Sequence, residues 1–158
     1  MKKIFLPLTC MVIFSLFACN NGGKKAGSTG KTDTITSKMD SLENDVNEGH
    51  IGGMQKLGKL QAMQTELERI VDSIEKLPAK ARNAMAPFRE KVNKVIDELK
   101  SARQGMDKWM DEYNMDSALT NANERMKYLA EEKLKVANIQ ESIVGGIQKA
   151  DSLIRSKF

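Results

Sequence analysis

Between residues 35 and 154 the apolar side chains recur every three or four positions, and no stretch alternates with period two. That spacing lines up one face of a helix turning 3.6 residues at a time, and it leaves no strand to build a sheet. A first run passes through Ile35, Met39, Leu42, Val46, His50 and Met54 and continues to Leu77. Pro78 ends it, because proline lacks an amide hydrogen and its ring clashes with the preceding turn. Residues 79–86 read as a short helical lead-in. A second run starts near Pro87, a favourable first-turn residue, and reaches Tyr113. Residues 114–117 make a polar break with cap-forming side chains. A third run goes from Ala122 through Leu134 to Ile154, with Ser117 or Thr120 as its cap.

Three helices on short connections run up, down and up, because only then do their stripes bury against one another. The expected fold is therefore all-α: a long antiparallel three-helix bundle over residues 34–158, its core mostly Leu, Ile, Val and Met. The third helix, at about 38 residues, would measure roughly 57 Å. Stripes of this kind also pair between chains, so a dimeric coiled coil stays open. Gly49, Gly52 and Gly53 cost about 1 kcal/mol of helix propensity each, which predicts a kink or break there. Gly145 and Gly146 cost about 2 kcal/mol together by the same scale. Folding back places them level with Pro87, where close approach of two backbones is expected.

The N-terminus belongs to something else. Met1-Lys2-Lys3 is a short positive start, and residues 4–17 (IFLPLTCMVIFSLF) form an apolar run. A spanning helix needs about 20 apolar residues, so this run matches the apolar region of a secretory signal. It closes on Leu16-Phe17-Ala18-Cys19. Leucine three residues before a cysteine, with a small residue between them at the cut, resembles the lipobox of lipoprotein signal peptidase. Phe17 is bulkier than usual there. Cys19 is thus the expected lipidation site, its thiol carrying a thioether-linked diacylglycerol. Residues 1–18 are read as the signal peptide and 19–33 as the lipidated cysteine and a flexible tether.

That tether, residues 20–33 (NNGGKKAGSTGKTD), has four glycines and no large apolar side chain. A leash of this composition spans roughly 20 Å on average and holds the bundle just off a bilayer. Two or three acyl chains hold a protein stably where one does not. Acidic residues directly after Cys19, which resemble a surface-export tag, are missing. The expected place is the cell envelope, at the periplasmic face of the outer membrane.

With Cys10 leaving in the signal and Cys19 acylated, the mature chain keeps no thiol for a disulfide, a metal or a nucleophile. Removing residues 1–18 takes two of the 25 basic residues and none of the 21 acidic ones, so 23 against 21 leaves +2. So balanced a charge speaks against nucleic acid as a partner. Enzyme motifs are absent: there is no G-x-S-x-G, no H-E-x-x-H, no phosphate-cradling glycine loop, and only one histidine. No catalytic residue and no cofactor is implied, and the chain reads as non-catalytic.

One constellation stands apart. His50 and Met54 share a helix face at four-residue spacing, and Met106, Trp109, Met110 and Tyr113 share another. Folding the first two helices back places position 50 level with about 107–115, and brings Met126 to a similar height. A histidine and several thioethers at one level suit a soft cation such as cuprous ion. Core packing explains the same pattern, since methionine fills gaps and contacts aromatic edges.

Residues 105–113 (GMDKWMDEY) and 128–133 (YLAEEK) resemble, at D-x-W-M-x-x-[FY] and Y-L-x-x-E-K, small helical lipoproteins of Bacteroidota labelled "viral A-type inclusion protein". His50, Met54, Leu57, Gly58 and Leu60 resemble the pattern of their first helix. The resemblance covers about residues 45–157 and implies a lipid-anchored helical protein with no established activity. Together these readings favour a membrane-tethered envelope lipoprotein with a structural or protein-interaction role, its partner another envelope protein or itself. The alternative is a periplasmic copper-binding protein using His50, Met54 and the Met106/Met110 face.

Overall fold

A computed structural model describes residues 29–156, with side chains from Thr34. Four helices follow in order: α1 (Thr29–Glu75), α2 (Ala79–Ala84), α3 (Ala86–Glu112) and α4 (Ala122–Ser156). The protein is all-α, and α1, α3 and α4 pack together as the bundle.

Cross-helix pairs set the directions. Along α1, Glu43, Asp45 and Gly49 meet Arg125, Lys133 and Val136 in the same order on α4, so these two helices run parallel. Along α3 the order reverses: Arg89 pairs with Glu75, Lys100 with Glu68, and Arg103 with Gln61. Up, down, up is the observed course. Pro78 is the N-cap of α2, and α1 stops three residues before it. Pro87 occupies the first turn of α3, where its missing donor has no partner to lose.

Leu60, Leu67, Val92, Leu99, Met106, Leu129, Val136 and Ile143 are completely buried. They are the stripe residues, and burying each is worth about 1.5–3 kcal/mol. Leu134, on the third apolar run, departs from this and is 64% exposed.

Four expectations need correction. The helix α1 passes through Gly49, Gly52 and Gly53 without a break. A Cβ on Gly49 would come within 2.8 Å of Val136 Cγ1, one on Gly52 would collide with the Gln140 amide, and one on Gly53 with the Met106 methyl. These glycines admit neighbouring side chains, and that packing offsets their propensity cost. Second, α1 already includes residues 29–33, which read as tether; extending a formed helix costs little compared with starting one. Third, α4 is capped by Asn121, not by Ser117 or Thr120. Its Oδ1 accepts from the amides of Asn123 (3.1 Å) and Glu124 (3.3 Å).

The fourth concerns level. A Cβ on Gly146 would stand 3.0 Å from Leu99 Cδ2, three turns from Pro87, and one on Gly145 would meet nothing within 4 Å. The connection from 113 to 121 is responsible. Tyr113 stacks on Tyr128, so α4 begins six residues, about 9 Å, beyond the end of α3.

Candidate functional site

The connection between α3 and α4 is held by a ladder of rings and charges. Trp109 and Tyr113 lie one turn apart at the C-terminal end of α3, which places both over α4. Trp109 Nε1 donates to Glu132 Oε2 at 2.8 Å, with both residues buried. The other Glu132 oxygen accepts from Lys135 Nζ at 2.7 Å, one turn on. A carboxylate shared between an indole and an ammonium has the partners that burial of a charge demands. That hydrogen bond, with the charge behind it, holds Lys135 above its ordinary pKa of 10.5.

Tyr113 continues the ladder. Its ring stacks on Trp109 (centroids 5.0 Å, planes at 23°) and on Tyr128 (6.1 Å, 16°). Burial among these rings raises the Tyr113 phenol above its ordinary 10.0. The Tyr128 hydroxyl accepts from the Asn114 amide at 2.7 Å.

Arg125 finishes that end. Its guanidinium lies 5.7 Å from the Tyr128 ring centroid and donates to the Ser117 carbonyl (3.0 Å) and to Glu43 on α1 (2.8 Å). Arg125 is 6% exposed, and its Nε is buried without a partner. One side chain thus ties α4, the connection and α1 together. Ala118, inside the connection, takes a left-handed φ of 57°. A non-glycine residue there is held by its surroundings.

His50 closes the opposite end. Its ring lies 5.4 Å from Trp109, tilted at 46°, and its Nε2 is 3.3 Å from Met110 Sδ. The expected cluster is therefore assembled in part. His50, Trp109 and Met110 meet. Met106, one turn before Met110, faces the core and is fully buried, its methyl against Gly53. Met54 is exposed, one turn after His50. Met126 is not level with them: its neighbour Arg125 pairs with Glu43, seven residues and about 10 Å from His50 along α1. No group of three or more His, Cys, Asp or Glu forms a metal cluster among the described residues. Cys19 and the signal lie outside the described residues.

The residues alone do not single out Arg125, Tyr128 and Glu132 as a site. The signal was there: 125, 129, 132 and 136 are spaced four, three and four, so two charged residues occupy the buried stripe. The two motif segments also turn out to be one packing unit, since Trp109 bonds to Glu132 and Tyr113 stacks on Tyr128.

A second surface feature is an open groove of about 1080 Å³ between α3 and α4, which Gly145 lines. The Lys149–Glu98 ion pair spans it at 2.7 Å. Ten of its fifteen lining residues are charged or polar.

No protein-family model matches the chain, and neither the curated proteins nor the solved structures contain a match to it.

Proposed function

We propose that this chain is a lipid-anchored protein of the cell envelope with a structural or protein-interaction role, non-catalytic, held through Cys19 at the periplasmic face of the outer membrane. The observation that carries the interaction role is the connection from 113 to 121. Met115 and Leu119 are 72% and 63% exposed on it, while Arg125, Asn114 and Tyr128 brace the backbone beneath them. Apolar side chains presented on a braced segment lose little further entropy when covered, which favours a contact surface.

The parallel course of α1 and α4 puts this connection at the end of the bundle where α1 begins. A protein tethered by its N-terminus would thus meet its partner, another envelope protein or a second copy, close to the membrane. The apolar run before Leu16-Phe17-Ala18-Cys19 supports the anchor, and so does the resemblance of residues 105–113 and 128–133 to Bacteroidota lipoproteins. Among the described residues, no helix is long and apolar enough to cross a membrane.

The test is fractionation of a Gram-negative host expressing the full chain or its Cys19→Ala variant, with a photocrosslinking residue at Met115 or at Leu134. Wild type is expected in the membrane fraction and Cys19→Ala in the soluble one. A discrete adduct is expected from position 115 and none from 134. Membrane partition that ignores Cys19 would overturn the anchor; equal or absent adducts from both positions would overturn the contact surface.

A further inference from the structure

We propose that His50 Nε2 and Met110 Sδ are two donors of a site for a soft monovalent cation, cuprous ion, with Met54 as the third donor. The site depends on neither the lipid anchor nor the interaction role.

The argument begins with distance. The two atoms lie 3.3 Å apart although their residues are 60 positions apart in the chain. Bonds of about 2.0 Å to an imidazole nitrogen and 2.3 Å to a sulfur would place one ion between them at an angle of about 100°. That angle suits a three- or four-coordinate ion, and neither backbone has to move. When His50 Nε2 carries the proton, the same pair forms an N–H···S contact, for which thioether sulfur is a weak acceptor. An ion replaces that weak bond once the imidazole proton sits on Nδ1.

Access and ligand type agree. His50 is half-buried, while Met110 and Met54 are exposed, so the pair opens to solvent. Met54 follows His50 by one turn on α1, and side chains four apart on a helix face are neighbours. Its unbranched side chain has three torsions with which to reach the ion. Met106 plays no part, because it is sealed in the core against Gly53. Thioether and imidazole together select cuprous ion over calcium or magnesium, which take oxygen.

Trp109 adds a built-in reporter. It is the one tryptophan of the chain, and its ring lies 5.4 Å from that of His50. A cation bound at His50 would stand close to the indole, where cation–π attraction and fluorescence quenching both operate.

The experiment titrates the detergent-purified full chain with cuprous ion under a competing chelator, reading Trp109 fluorescence and the methionine methyl resonances. Saturable 1:1 quenching is expected, with shifts confined to the Met110 and Met54 methyls. His50→Ala and Met110→Leu should each weaken binding at least tenfold, and Met54→Leu should weaken it less. Met126→Leu should leave it unchanged. Circular dichroism checks that the variants stay folded; Met110→Leu conserves volume on an exposed face and is the decisive one. No quenching, equal affinity for zinc, or wild-type binding by Met110→Leu would each overturn the site.

Discussion

Trp109 on α3 and Glu132 on α4 share a 2.8 Å hydrogen bond inside the bundle, across 23 residues of sequence. It is one of two points where the stripe of α4 carries a charge instead of a methyl group, Arg125 being the other, and it fixes which residues of the two helices face each other. A buried donor left without its acceptor costs more than the bond contributes when made. The bond is therefore worth more as a constraint on register than as stability.

Glu132→Ala should destabilise the protein by about 1–3 kcal/mol, because the indole N–H loses its acceptor in a buried place. Glu132→Gln keeps an oxygen there and should lose less than half as much. Urea unfolding reads both, with the slope m expected to stay constant. Equal losses in the two variants would mean that the hydrogen bond is not what Glu132 supplies.

The glycines divide by what surrounds them. Gly58 and Gly145 have nothing within 4 Å of a built Cβ, so Gly58→Ala and Gly145→Ala should each stabilise by up to about 1 kcal/mol. Gly49→Ala should destabilise, since its Cβ would stand 2.8 Å from Val136 Cγ1 and a β-branched side chain has little freedom to yield. Melting temperatures of the three variants decide this. A higher value for Gly49→Ala would show that α1 and α4 can separate there at no cost.

Alkaline pH should loosen the connection end. Tyr113 and Lys135 both have folded pKa values raised above their ordinary 10.0 and 10.5, by burial and by Glu132 respectively. In both cases the folded state binds the proton more tightly than the unfolded one. Their contributions are complete below the ordinary values and are lost as pH rises through the raised folded values. Stability should thus fall above about pH 10, and Tyr113→Phe should make the fall shallower. Unfolding at a series of pH values measures it; identical slopes for wild type and Tyr113→Phe would exclude Tyr113 as a contributor.

Much of the architecture was legible because helical spacing is a local property. Three- and four-residue steps name the buried face, and Leu60, Leu67, Leu99, Leu129 and Ile143 all lie on it. Pro78 and Pro87 mark the turn between α1 and α3 for reasons confined to their own rings. The meeting of His50 with Met110 was legible too, since a tight turn leaves little choice of level between α1 and α3.

The glycines of α1 were misread because propensity prices a residue in isolation. Gly49 and Gly53 are tolerated for what they let in, Val136 and Met106, and those neighbours belong to other helices. Leu134 failed in the opposite sense: its apolar side chain fits the run in sequence, but the face set by 125, 129, 132 and 136 turns it outward.

Helix type, the number of long helices and, Leu134 apart, the buried stripe of each follow from sequence alone, because they depend on contacts within a few residues. The axial level of α4 did not, and with it went the position of Gly146 against Leu99, the exclusion of Met126 from the His50 level, and the pairing of Arg125 with Glu43 and of Glu132 with Trp109. A stripe specifies the side of a helix that turns inward but lets it slide along its axis. Only the path of residues 113–121, pinned by Tyr113 on Tyr128 and by Arg125 on Ser117 and Glu43, decided where that slide stopped.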